Sequence, residues 1–291
     1  MTGSVPWSAG SAPARLRAPP GATDSHHHIY DDRFAYDPAA ALKPGNATVA
    51  DYRLLQAQIG TTRNVVVQPS SYGTDNRCLL DALAGFGTAA RGVAVVDESV
   101  TDAELRAMDA AGVRGVRVNI ARAGGPSVAS IEALARRVAP LGWHVQIHTL
   151  ADAYPALAPV LAGLPVQVVI DHLGRLPQPE GLGHAAWPAL RALVDTGRCW
   201  VKISGAYHDS RTGAPAYADT SAVARAWIDA APERLVWGTD WPHPSATAGE
   251  KPLPDDAVMF DLLESWAPSE ALRQRILVEN PALLYGFAES D

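Results

Sequence analysis

The chain has 291 residues, 47% of them hydrophobic and 19% charged, a balance that supports a large core and excludes a disordered or fibrous protein. A formal net charge of −7, without the clustered Lys and Arg that phosphate backbones demand, excludes nucleic acid as a partner. No run approaches the roughly 18 apolar residues of a membrane span, and the two cysteines, Cys78 and Cys199, are too few for a disulfide framework, so reduced thiols and a cytoplasmic setting are expected.

In chain order, residues 1–20 are rich in Pro, Ala and Ser, lack the apolar run of a signal peptide, and read as an arm that is either flexible or clamped to the surface. Residues 21–291 read as one domain. Eight strand candidates follow: TDSHHHIY from Thr23, NVVVQPS from Asn64, RGVAVVD from Arg91, VRGVRVNI from Val113, HVQIHT from His144, VQVVIDHLG from Val166, CWVKISG from Cys199 and LVWGTDW from Leu235. All but the first are rich in Val or Ile, as strands buried on both faces are. Between them, apolar residues recur every three or four positions, predicting helices over 50–59, 76–86, 102–111, 130–139, 185–195 and 221–230, with a closing pair over 255–266 and 269–277. Thr101 and Glu104 have the spacing of a capping box. Strands alternating with helices eight times predict an α/β chain folded as a (β/α)8 TIM barrel. A doubly wound open sheet is the alternative, but the glycine-rich turn of its dinucleotide-binding form is missing after the first strand.

Polar residues fall at the strand ends. Residues two apart in a strand share a face, so His26 and His28 point together and His27 points away. His148 closes the fifth strand, His172 the sixth and Asp240 the eighth. Barrel enzymes draw their reacting groups from the C-terminal ends of several strands, which is where these five residues lie. Singly, a histidine reads rather as a hydrogen-bonded core residue, and Asp240 could be a loop cap. Together, His26, His28, His148 and Asp240 offer the N and O ligands of one divalent ion such as zinc, with a position left for water. His172 is then a further ligand or a neighbouring acid. No GxSxG elbow is present, which disfavours a serine esterase.

The stretches GATDSHHHIY, VVVQPSSYGTDN, GVRGVRVN, IDHLG, VKISGAYHDSR, LVWGTDWPHP and LVENPALLYGF resemble the amidohydrolase superfamily over nearly the whole chain after residue 20. The likeness is greatest to the amidohydrolase-2 branch, which holds 2-pyrone-4,6-dicarboxylate lactonase and sugar-lactone hydrolases. The resemblance implies a barrel hydrolase that opens a small acidic or sugar-derived lactone. Asp240 would be the general base on water, His26, His28 and His172 would line the reacting carbonyl, and Arg117 would hold an acid group. Lactone isomerases belong to the same branch, and related zinc decarboxylases hold their metal through the HxH pair, a strand-five histidine and the strand-eight aspartate. His148 stands where the metal-free lactonases have no histidine, which favours a bound metal here.

An anionic small molecule is thus the expected partner, with a homo-oligomer allowed. Its acid groups are expected on Arg117, Lys202 and Arg211, with Arg122 beside them, because guanidinium forks pair with carboxylates. Gln68, Ser70, Ser71, Tyr72, Asn119 and Tyr207 are the expected neutral hydrogen-bonding groups, and Tyr30, Trp241 and His243 the expected walls. For Lys202, pairing with a buried acid is the competing reading; for Trp241, it is core packing. A carbohydrate-acid binder without catalysis would have no use for an aspartate base.

Overall fold

In a computed structural model of the chain, which describes residues 4–121 and 128–288, eight parallel strands form one sheet in sequential order. They are β1 (Thr23–His27), β2 (Arg63–Val67), β3 (Ala90–Ala94), β4 (Val113–Asn119), β5 (His144–His148), β6 (Val168–Ile170), β7 (Cys199–Ser204) and β8 (Leu235–Gly238). The seam between the last strand and the first closes just past β8, where the Asp240 amide donates to the His26 carbonyl at 2.7 Å and the His28 amide to the Trp241 carbonyl at 2.7 Å. The protein is a single-domain (β/α)8 barrel.

Helices α1 (Val49–Ile59), α2 (Arg77–Phe86), α3 (Asp102–Ala110), α4 (Val128–Val138), α5 (Tyr154–Gly163), α6 (Ala186–Leu193) and α7 (Ala218–Ala230) cover the outside of the barrel. The Thr101–Glu104 capping box opens α3, and an equivalent pair, Thr48 and Asp51, opens α1. Helix α5, YPALAPVLAG, buries Tyr154, Leu157, Ala158 and Leu161, but its other residues are apolar too and Pro159 lies inside it, so no amphipathic period marks it in the sequence. After β8 comes α8 (Pro244–Thr247); the first helix of the expected closing pair is broken into α9 (Asp256–Asp261) and α10 (Leu263–Trp266), the second begins as α11 (Glu270–Gln274), and α12 (Asn280–Tyr285) follows beyond the expected pair.

One apolar cluster lies inside the barrel. Val65, Val67, Val93, Val169, Trp200 and Val236 meet there, closed at one end by Leu284, Tyr285 and Phe287. These residues identify the inward face of each strand, and alternation carries that face to Gly115, Arg117 and Asn119 on β4, His144, Gln146 and His148 on β5, and Lys202 and Ser204 on β7. The barrel is therefore apolar at its closed end and polar along its upper half. Gly115 is required by this packing, because a Cβ there would overlap the His144 ring on the paired strand.

The N-terminal arm is clamped. Trp241 Nε1 donates to the Pro6 carbonyl at 2.8 Å, the Asp256 amide to Ser8 Oγ at 3.0 Å, and Arg15 Nε to Asp261 Oδ2 at 2.9 Å. Cys78 and Cys199 are buried and unpaired with each other. Among the described residues, no helix is long and apolar enough to cross a membrane.

Candidate active site

The β1 ladder shifts register between Asp24 and His27, and this irregularity sorts the histidine triplet. His27 turns outward, stacking on Tyr52 of α1 and bonding Asn64 at 3.0 Å. Asp24 is buried beneath the seam and accepts four hydrogen bonds: from the His26 and Thr239 amides at 3.0 Å each, Tyr52 OH at 2.9 Å and Thr239 Oγ1 at 2.7 Å. It fixes the end of β8 against the start of the site. Asp240 follows one residue later with a left-handed φ of 67°, a conformation that L-residues hold only under constraint.

Three imidazoles converge on one oxygen of that carboxylate. Oδ1 of Asp240 has Nε2 of His28 at 3.4 Å, of His26 at 3.5 Å and of His172 at 3.7 Å. Oδ2 is occupied on its other side, accepting from Tyr207 OH at 2.6 Å and facing His208 Nε2 at 3.0 Å. Burial alone would raise the Asp240 carboxyl, but His172, His208 and His28 together hold it well below the usual carboxylate range. Burial pulls His26, His172 and His148 well below the usual imidazole range. The floor is thus an ionised carboxylate beside the neutral imidazoles of His26 and His172.

A second buried acid, Asp171, follows β6 directly. Arg117 Nε lies 3.4 Å and Gln146 Nε2 3.2 Å from its Oδ2, while Lys202 Nζ is 4.0 Å and His26 Nδ1 3.3 Å from its Oδ1. Burial pushes this carboxyl up, and the two cations Lys202 and Arg117 outweigh it, leaving it lowered. Lys202 is completely enclosed: burial draws its ammonium down to about 7 while Asp171 opposes the shift. Its Nζ donates to the Ser25 carbonyl at 2.8 Å and lies 3.2 Å from His26 Nδ1.

Above this floor opens a cavity of about 390 Å³. Of the expected residues, His28, Tyr30, Ser70, Ser71, Arg117, Asn119, His148, His172 and Asp240 line it. Others do not. Gln68 and Tyr72 are buried behind the wall, with Gln68 Nε2 donating to the Asp75 carbonyl and Tyr72 OH bonded to the Asp31 backbone. Lys202 lies beneath the floor with a buried acid, Tyr207 is spent on Asp240, and Trp241 packs between Tyr52 and the arm. Arg211 is exposed on the loop after β7, its amide tied to Asp219, and does not line the cavity. His243 is paired with Asp256 at 3.1 Å and is buried away from the cavity. Arg122 lies outside the described residues.

The cavity also holds groups that the sequence pattern does not single out: Arg175, Lys251 and His208. Arg175 reaches it through a loop in which His172, Leu173 and Arg175 all have left-handed φ, and its guanidinium is held by Asp209 at 2.7 and 3.1 Å. No period announces such a turn. His208 and Asp171 stand in AYHDS and IDHLG, beside residues expected in the site, so adjacency is the one signal the sequence carries for them.

Ligand-capable atoms fall into two overlapping groups, each within 4.8 Å: His26, His172 and Asp240, and His148, Asp171 and His172. The four-residue set expected from the sequence is therefore not gathered as one group among the described residues; His172 takes the place beside Asp240 that had been expected for His148. The first group, with His28 beside it, offers N and O donors of the types a divalent ion takes. The Val67 carbonyl accepts from His28 Nδ1 at 2.8 Å, so in the neutral ring Nε2 turns a lone pair toward Asp240, and His26 Nε2 is buried without a hydrogen-bond partner.

A model of the amidohydrolase family matches residues 23–287. The chain is 36% identical to a 2-pyrone-4,6-dicarboxylate hydrolase of Comamonas testosteroni, the match covering 97% of this chain and 96% of that protein. It is 33% identical to a D-galactarolactone isomerase of Agrobacterium fabrum, over 92% of this chain and 91% of the isomerase. An apo crystal structure of an Agrobacterium tumefaciens protein superposes with a TM-score of 0.87 at 32% identity, covering 96% of this chain and 100% of that one. The chain belongs to the amidohydrolase family.

Proposed function

We propose that this protein hydrolyses the ester bond of a small lactone carrying at least one acid group, with Asp240 as general base. The observation that carries the reading is the convergence of three imidazole Nε2 atoms, at 3.4 to 3.7 Å, on the free oxygen of a buried carboxylate at the floor of a cavity. Arg117, Arg175 and Lys251 on the walls, against Glu250 as the one lining acid besides Asp240 among the described residues, supply the cations that an anionic ring would need. The relatives named for pyrone-dicarboxylate hydrolysis and galactarolactone isomerisation both act on lactones, which supports the substrate class.

Water held by Asp240 Oδ1 attacks the lactone carbonyl; the carboxylate takes its proton and returns it to the ring oxygen as the acyl–oxygen bond breaks, yielding a hydroxy acid. Asp240 is a weak base in the resting site, since its carboxyl lies so low. An anionic lactone bound beside it raises its proton affinity by like-charge repulsion. His172, which lines the cavity, stands where an N–H could steady the developing oxyanion, and its Nδ1 is set by Ser204 Oγ at 2.9 Å. Held by His26, His172 and Asp240, a divalent metal such as zinc would supply Lewis-acid polarisation of the same carbonyl.

The test is a panel of aldonic, aldaric and pyrone lactones offered to the purified protein, with metal content measured on the same sample. Hydroxy-acid release from a carboxylated lactone is expected. Rearrangement to an isomeric lactone without net water uptake would assign the isomerase reaction. Failure on every lactone, with carbon dioxide released from a small carboxylic acid, would replace the reading with a decarboxylase.

A further inference from the structure

Two groups compete for one ring nitrogen of His26. Nδ1 has Lys202 Nζ at 3.2 Å and Asp171 Oδ1 at 3.3 Å. Lys202 makes the hydrogen bond, whereas Asp171 Oδ1 has no hydrogen-bond partner although it is completely buried. The lysine is held firmly in this contact. Nζ also donates to the Ser25 carbonyl at 2.8 Å, an oxygen that can only accept, and its stem is enclosed by the barrel. In its ammonium form Lys202 has only donors to bring to the contact, so imidazole Nδ1 then accepts, which places the hydrogen of the neutral ring on Nε2. That tautomer suits a hydrogen bond toward Asp240. It does not suit a metal, which needs the Nε2 lone pair and a carboxylate or carbonyl accepting from Nδ1–H on the far side of the ring.

We propose that Lys202 is a positioning residue that sets the tautomer of His26 and thereby holds down the zinc affinity of the Asp240 site, with Asp171 standing by as the acceptor that would replace it. The same ammonium places a positive charge in hydrogen-bond contact with a ring that a metal would use, which opposes a second cation directly. The inference rests on the reading of His26, His172 and Asp240 as the candidate ligands, but its test uses no lactone, so the two can fail separately.

In the metal-free parent protein, long-range ¹H–¹⁵N spectra, with the His26 signals assigned by their loss in H26Q, are expected to show Nδ1 unprotonated and Nε2 protonated. A protonated Nδ1 would overturn the proposal. Zinc alone, titrated by equilibrium dialysis, is expected to bind Lys202→Met at least about tenfold more tightly than the parent, since both the competing donor and the buried charge are gone. Equal or weaker zinc binding by a folded K202M protein would also overturn it. The spectra need no variant at Lys202, so the proposal stays open to refutation even if that substitution unfolds the chain.

Discussion

Tyr207 donates its phenol hydrogen to Oδ2 of Asp240 across 2.6 Å, and this single contact decides which carboxylate oxygen is available for chemistry. With Oδ2 also facing His208, only Oδ1 remains, and the imidazoles of His26, His28 and His172 point at it. The phenol is a dependable donor because burial drives its pKa well above the usual value. Removing it in Tyr207→Phe frees Oδ2 and lets the carboxylate rotate. A hydrogen bond to a charged group contributes about 1.5–3 kcal/mol, so kcat should fall about 10- to 100-fold with little change in KM. Steady-state kinetics of the variant check this; an unchanged kcat would remove Tyr207 from the machinery.

Asp24 is the structural counterpart of Asp240. It is enclosed, with four donors and no cation in its hydrogen-bonding set. An amide in its place offers two hydrogens toward groups that themselves donate. Asp24→Asn is expected to cost roughly 2–4 kcal/mol of stability, measured by denaturant unfolding, because buried donors are left without acceptors. A loss below about 0.5 kcal/mol, the scale of an ordinary surface change, would show that the seam does not depend on this carboxylate.

Asp219 gives a pH-dependent prediction. Burial pushes its carboxyl up, but bonds from Ser210, the Arg211 amide, Thr212 and the Thr220 amide outweigh burial and hold it below the usual value. A depressed native pKa means stability that is present above the unfolded carboxylate pKa, near about 3.9, and lost as the pH falls through the native one. Asp219→Asn should therefore lower Tm at pH 7, by an amount reflecting about 1–3 kcal/mol, and the gap to the parent should narrow below about pH 4. A gap that stays constant with pH would assign the loss to packing.

The arm is expected to matter for activity as well as stability. It touches Trp241, which follows Asp240 directly, and Asp256, which pairs with His243 in the same loop. Deleting residues 1–16 exposes Trp241 and should lower Tm by about 5 °C, together with a several-fold fall in kcat. A truncated protein with parental Tm and kcat would reduce the arm to a passive cover.

Much of this is legible in the sequence, and the reason is geometric. His26, His28, His148, His172 and Asp240 lie at the ends of strands whose apolar runs and spacing announce a barrel, and a barrel brings all strand ends to one rim. The layer beneath the site is not legible in the same way. Lys202 reads in the sequence either as a cation for the substrate or as the partner of a buried acid, and it is the strand's inward face, known from Trp200 below it, that puts it beneath the floor beside Asp171. Gln68 and Tyr72 are expected at the mouth because they follow β2, yet the chain turns there and spends their polar atoms on Asp75 and Asp31. Arg175 requires three consecutive departures from ordinary backbone at His172, Leu173 and Gly174 before it, which no hydrophobic period encodes.

The central claim is that Asp240 takes the proton from water, and the direct measurement is kcat/KM of Asp240→Asn on the best lactone substrate alongside its melting temperature. Because the amide cannot accept that proton, turnover should fall by about 1,000-fold or more while the variant remains folded. A folded D240N protein that retains turnover within about tenfold of the parent would contradict the account.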